Sequence, residues 1–360
     1  MKYDFLIVGQ GLSGSILAIQ LEKLSKRFKI INSYENNSSS KVAAGIMHPL
    51  ALKRGTISWR GKEFYNFSKD FYTSFDELNE TNYFENHKLK RIFSSFEEQN
   101  NWIGKTADSN YEDLIAFNNL PIKKIKTPYG NGLLKKSHRL NVKDFLQLVK
   151  NKYRKNIINE NFKSENLKIK GKIFNYQGIS YQNVVLCQGV GANTNELFSY
   201  LPIIPNKGEL LEIKSENLPK LILNSGVFSL PTGNNLFTVG ATYNHLDRTY
   251  KNTLEAKEEL MTKIGKIVKI NDLQIIHQKF GFRPTTSDRK PLIGEHPLVK
   301  NLFVINGMGS KAVLMAPLLI NELLESIFEN KQLDKLVDIK RFVKKVNSQT
   351  IQSVKKIFEN

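Results

Sequence analysis

The chain has 360 residues, 40% of them hydrophobic, and carries 53 Lys and Arg against 34 Asp and Glu, a formal charge of +19. Its one cysteine, Cys187, excludes an intrachain disulfide framework and a cysteine-rich zinc site, and no apolar run reaches the ~18–20 residues a membrane helix needs. A single core stops growing near ~250–300 residues, so two joined domains are expected.

Taken in chain order, Phe5-Leu6-Ile7-Val8 reads as a buried parallel strand that begins almost at Met1, leaving no room for a leader. Gly9-Gln10-Gly11-Leu12-Ser13-Gly14 follows. Next comes a helix with Leu17, Leu21 and Leu24 on one face, then a second strand over Phe28–Ile31. Asn36 to Ser40 is loop-like, and Val42 to Ile46 is small and apolar. From Glu63 to Lys136 aromatics and charges mix without a dominant period, which reads as an inserted region of helices and strands. A helix is expected over 141–155 and a buried strand over Val184–Cys187. Leu210–Ile213 and Val227–Tyr243 read as antiparallel strands, the latter turning at Thr232-Gly233-Asn234-Asn235. Leu302–Ile305 is a last buried strand, and a long helix through Leu318, Leu319 and Leu323 follows Gly307-Met308-Gly309-Ser310.

Three strand–glycine junctions therefore recur, at Gly9, Gly189 and Gly307, with antiparallel material between the second and third. The fold class expected is α/β: a Rossmann-like nucleotide-binding domain, FAD-binding by the resemblance given below, with an inserted mixed or antiparallel-sheet substrate domain. The boundaries expected are 1–75, 139–200 and 276–360 for the first domain, 76–138 and 201–275 for the second. The context strand, GxGxxG, helix carries the dinucleotide reading. Gly9 permits the tight turn, Gly11 the approach of a pyrophosphate, and Gly14 close helix–strand packing; a chance glycine-rich turn is the alternative. Asn32 stands where an acidic ribose ligand is expected, with Glu35 as the fallback if the register shifts.

Several further motifs resemble the FAD-dependent D-amino-acid oxidase superfamily, which includes glycine oxidase and sarcosine oxidase. They are Ser38-Ser39-Ser40-Lys41-Val42-Ala43-Ala44-Gly45, Val184 to Gly189, Pro205-Asn206-Lys207-Gly208-Glu209 and Val239-Gly240-Ala241-Thr242. Gly281-Phe282-Arg283-Pro284 through Arg289, Pro291-Leu292-Ile293-Gly294 and Asn306 to Lys311 complete the set. The matches run in the family's order over nearly the whole chain. The resemblance implies non-covalent FAD, held by Gly9, Gly11, Leu12, Ser13, Gly14, Asn32, Ser39, Ser40, Ala43, Ala44, Gly45, Ile46, Phe162, Gly189, Gly307, Met308, Gly309, Ser310, Lys311 and Ala312. It implies oxidation of a carbon–nitrogen bond of an amino acid or N-substituted glycine, by hydride transfer to flavin and hydrolysis of the imine. Small residues at Ala43, Ala44 and Gly45 suit close approach to a flat ring, or else tight packing of a turn. Arg283 matches the arginine that clamps a substrate carboxylate; an ion pair with Asp288 is the competing role. His48 reads as a substrate contact or a passive wall residue, and Tyr243 and Lys311 are further catalytic candidates. No metal is expected.

The chain also resembles the oxidase half of the bifunctional enzyme that matures tRNA wobble uridine, through the Gly45–Pro49 spacing and Leu333-Asp334…Arg341-Phe342, but without the methyltransferase half. A non-catalytic flavin-binding module is the third reading. The partners expected are a small amine or amino acid and, on the second reading, tRNA, with no membrane. The positive charge has two sources to weigh. It is the footprint of a polyanion such as RNA, or it is composition bias, since only ten basic residues are Arg and the lysines are spread along the chain. One cysteine suits a reducing cytoplasm.

Overall fold

The computed structural model describes residues 2–33 and 38–358, so Glu35 lies outside the described residues. The chain folds into two compact units. Unit 1 takes residues 1–43, 142–206 and 282–360, and unit 2 takes 44–141 and 207–281.

Unit 1 is built on a sheet whose central strands are parallel. Lys2–Val8 lies between Phe28–Ile31 and Ile179–Leu186, and Ile179–Leu186 pairs in turn with Leu302–Asn306. Phe5, Leu6, Ile7, Val184 and Val304 are fully buried, as strands covered on both faces require. The helix Leu12–Lys23 follows the first glycine turn. It is not amphipathic in the way its leucine spacing suggests. Every residue from Ile16 to Leu21 is buried, while Leu24 caps the helix and is exposed. The helix is sandwiched between the first strand and the helix Ala312–Phe328, and Gln20 Nε2 donates to the Pro317 carbonyl at 2.8 Å across that contact.

Unit 2 holds an eight-stranded mixed sheet and a three-stranded sheet. From Ile203–Lys214 to Ile115–Phe117 neighbouring strands of the large sheet pair antiparallel, except where Leu89–Ile92 runs parallel to Ile222–Ser225. Its predicted hairpin forms between Val227–Gly233 and Leu236–Gly240, and Asn234 and Asn235 both take positive φ, the geometry of a type I′ turn. The stretch without an evident period contains the helix Gly61–Asn79. It buries Phe64, Tyr65, Ser68, Phe71, Tyr72, Phe75 and Asp76, a spacing of three and four residues. Two of its positions are polar, which masked the stripe. The Asp76 carboxylate accepts from the Phe84 amide at 2.7 Å and the Thr81 hydroxyl at 2.6 Å, so its burial is compensated.

The two compact units divide the chain at other positions than the expected boundaries. Residues 44–75 belong to unit 2, because Ile46–Met47 pairs with His138–Leu140 and the Tyr65 hydroxyl meets His138 Nδ1 at 2.7 Å. Residues 139–141 and 276–281 also join unit 2, and 201–206 join unit 1. The long strands Ile203–Lys214 and Gln274–Thr286 each run through a boundary, which no local sequence signal marks.

Candidate FAD site in unit 1

Strand register brings the three glycine junctions side by side. Val8 is paired with both Ile31 and Leu186, and Leu186 with Val304, so Gly9, Gly189 and Gly307 all leave the carboxyl ends of neighbouring strands. Ligands bind open α/β sheets in the crevice at those ends. The Gly9 amide donates to the Ile31 carbonyl at 2.8 Å, and the Cys187 amide to the Val8 carbonyl at 2.7 Å, which locks the first turn to both flanking strands.

The glycines do different work. A Cβ on Gly14 would sit 1.9 Å from the Gly9 carbonyl oxygen, so the helix approaches the turn as closely as only glycine permits. Gly9 has φ +100° and would clash with the Cys187 carbonyl. Gly189, with φ +56°, faces open space, and Gly11 faces only the hydroxyls of Ser40 and Ser38, at 3.2 and 3.8 Å. Ser40 Oγ accepts the Leu12 amide at 3.1 Å, and Ser38 Oγ accepts the Ser40 amide at 3.3 Å. The Ser38–Ser40 segment is thereby stapled to the amino end of the first helix, beside Ser13 and Gly14, where amides and dipole favour an anion. Gln10 Nε2, within the same turn, is buried and finds no acceptor among the described residues. A donor buried without an acceptor fits a bound diphosphate-bearing cofactor.

Asn32 is committed to the turn. Its Oδ1 accepts the Gln10 amide at 2.9 Å, and its Nδ2 donates to the Ser33 carbonyl at 3.3 Å. Phe162 stacks on Tyr176 at 5.3 Å and packs against the unit 1 core. Ala44, Gly45, Ile46, His48 and Tyr243 fall in unit 2, whereas Ala43 falls in unit 1. Ala44 and Ile46 pack on a unit 2 apolar cluster, and the Gly45 carbonyl accepts the Leu140 amide at 3.0 Å, which is the tight-packing role weighed for that loop. Tyr243 is 63% exposed.

At the third junction, Asn306 joins two of the loops. Its Nδ2 donates to the Gly189 carbonyl at 2.8 Å, and its Oδ1 accepts the Gly307 amide at 2.8 Å. Sequence patterns place Asn306 and Gln10 inside motifs without giving either a role; a buried amide side chain next to a strand-ending glycine is the signal that marks them. Met308, Gly309 and Ser310 lead into the helix starting at Ala312. Burial lowers the Lys311 ammonium pKa to about 8. Burial drives the Cys187 thiol pKa up, so this sulfur is inert packing.

Arg283 is half-buried on the strand Gln274–Thr286, and its Nη1 donates to Asn206 Oδ1, a neutral acceptor, at 3.3 Å. Two residues on, Thr285 Cγ2 lies 3.5 Å from the position a Cβ on Gly309 would take, and Thr286 packs against Gly307. The Asp288 carboxylate, weighed as the partner of Arg283, is held by Arg341 at 3.0 Å. Arg341 also donates to the Pro291 carbonyl at 2.9 Å, a structural tie between the late signature and the C-terminal segment.

Comparison with known proteins agrees with this architecture. Residues 4–323 match the family of FAD-dependent oxidoreductases. Glycine oxidase from Geobacillus kaustophilus superposes with a TM-score of 0.79 at 18% identity, covering 95% of this chain and 98% of that one. The bifunctional protein ThiO/ThiG of Nostoc sp. is 23% identical over 92% of this chain and 53% of its own length. The tRNA 5-methylaminomethyl-2-thiouridine biosynthesis bifunctional protein MnmC of Campylobacter jejuni is 25% identical over 80% of this chain and 45% of its own. The chain thus spans about half the length of these curated relatives. It belongs to the FAD-dependent oxidoreductase family, and its cofactor is FAD. None of the described helices is long and apolar enough to cross a membrane.

Proposed function

We propose that this enzyme oxidises the carbon–nitrogen bond of an amino acid or N-substituted glycine. The observation that carries this reading is Arg283: a half-buried guanidinium held by the neutral Asn206 amide, on the strand that packs against the Gly307–Gly309 loop. A planar guanidinium matches a substrate carboxylate, which it grips through two parallel hydrogen bonds. Relatives include glycine oxidases, and a structural neighbour is an iminodiacetate oxidase; an amine bearing a carboxylate is common to both names.

FAD, held without a covalent link, supplies the hydride acceptor. The chain's own part is positional. Arg283 fixes the carboxylate, which sets the distance of the reacting carbon. Asn306 and the two loops it joins form the wall at the strand ends, and the amides and dipole of the helix from Ala312 favour negative charge next to Gly309. His48 and Tyr243 remain candidates for contacts with the substrate, and Lys311 for one with the cofactor. A substrate entering as the neutral amine demands no strong side-chain base, and the imine formed hydrolyses in water. A cytoplasmic setting is consistent with one thiol that is buried and inert.

A second reading, oxidation of a carboxymethylaminomethyl group on tRNA, is favoured by the 25% identity with the Campylobacter tRNA enzyme over 80% of this chain. Its substrate is also an N-substituted glycine, so Arg283 serves both. Anaerobic bleaching of the yellow protein discriminates. Reduction by glycine, sarcosine or iminodiacetate supports the first reading, and reduction only by modified tRNA supports the second. A protein inert to every amine and to tRNA overturns both.

A further inference from the structure

We propose that one face of unit 2 is a docking surface for the phosphodiester backbone of RNA, built by Lys123, Lys124, Lys126, Lys220, Lys266 and Lys269. It rests on the amine-oxidation reading only in that the RNA would carry the amine.

These lysines come from three stretches far apart in sequence, and the fold gathers them. Ile122, Ile125, Leu218, Ile264, Ile267 and Val268 are buried in one apolar cluster, while the lysines that alternate with them are exposed. The Lys126 amide donates to the Ile267 carbonyl at 2.8 Å, which ties the first stretch to the end of the helix Leu254–Gly265 and the turn after it. Lys124 Nζ donates to Asn217 Oδ1, which ties it to the third. The ammonium heads therefore spread from fixed, buried bases.

Composition alone scatters lysines evenly and lets them find carboxylates. Several elsewhere in this chain do. Lys136 pairs with Asp113, Lys152 with Glu22, Lys300 with Glu295, and Lys331 with Glu325 and Glu329. Among the described residues none of the six makes an ion pair, and the nearby Glu216 carboxylate accepts instead from Asn235 Nδ2 at 2.6 Å. Six like charges held together, outnumbering the nearby carboxylates of Glu216 and Asp272 and paired with neither, repel one another, and a polyanion relieves that repulsion. Lysine, a compact point charge, contacts phosphates without reading bases, so the surface positions RNA and leaves selectivity to the amine site.

The test is binding of labelled bulk tRNA by the full-length, FAD-loaded protein, measured by fluorescence anisotropy as salt is raised. Six phosphate contacts predict that log affinity falls with log salt with a slope of about −5. K123E/K126E/K266E should weaken binding at least tenfold and flatten the slope by about three, with bound FAD and thermal melting unchanged. K344E/K345E/K355E, three exposed lysines of unit 1, should keep the affinity. Absence of binding by the unaltered protein at low salt overturns the proposal. So does equal loss in both triple variants, or lysine-dependent capture of phosphatidylserine vesicles without capture of RNA. Flavin bleaching by sarcosine, followed in parallel, separates the two ideas: tRNA binding lost with bleaching retained sinks only the surface, and the converse sinks only the amine reading.

Discussion

Arg283 and Gly14 are the side chain and the missing side chain on which most turns. Replacing Arg283 with Ala removes two charge-assisted hydrogen bonds to the substrate and should raise KM roughly 100-fold, about 3 kcal/mol, with the protein still yellow. Arg283→Lys keeps the charge but not the fork, so most of that loss should persist. Steady-state kinetics alongside the flavin absorbance check both; unchanged KM removes Arg283 from the site. Gly14→Ala places a methyl group 1.9 Å from the Gly9 carbonyl oxygen. Strand and helix must separate, at a cost of roughly 1–3 kcal/mol or more. FAD content after purification should fall below a tenth of the parent's. Full retention of FAD would show that the turn relaxes without penalty. The GxGxxG roles of Gly9 and Gly14 were legible because backbone proximity leaves a signature in residue type. Asn32 was legible as a departure from the pattern, but its bond to the Gln10 amide was not, since an Asn side chain has many partners within reach.

Between elements, two buried imidazoles join segments that are distant in sequence. His296 follows the strand Leu292–Glu295. Its Nε2 meets the Leu197 carbonyl at 2.9 Å and its Nδ1 accepts the Leu298 amide at 3.1 Å, an arrangement that requires the neutral ring. Burial lowers its pKa to about 4, and burial does the same for His138. The unfolded chain takes up these protons near pH 6.5 and the folded chain only near pH 4. Stability is therefore present above pH 6.5 and lost as pH falls through that window, by roughly 3 kcal/mol for His296. Denaturant midpoints at pH 7 and pH 4.5 should show this, and His296→Gln should shrink the difference. Equal pH dependence in parent and variant would refute the assignment. Strand and hairpin signals such as Phe5–Val8 and the Asn234-Asn235 turn were readable because local sterics decide them. The helix Gly61–Asn79 escaped detection because the buried face includes Ser68 and Asp76, and the compensation for Asp76 comes from Thr81 and Phe84 in the next segment.

For the whole molecule, three loops from separated stretches meet at the strand ends of unit 1, so a cofactor bound to all three should stabilise that unit as a body. FAD at 100 times its dissociation constant contributes about 2.7 kcal/mol, which raises the melting temperature of a unit this size by roughly 5–10 °C. Differential scanning calorimetry of loaded and stripped protein measures it; coincident melts would mean that the loops do not share the ligand. The sequence alone determined the class of fold, the strand–glycine junctions and the dinucleotide turn, because these depend on neighbours within a few residues. Only the tertiary structure decided where the units divide, that Asp288 belongs to Arg341 rather than Arg283, and that scattered lysines share one face. Each of those depends on residues brought together by burial of apolar surface, and distance along the chain carries no record of that.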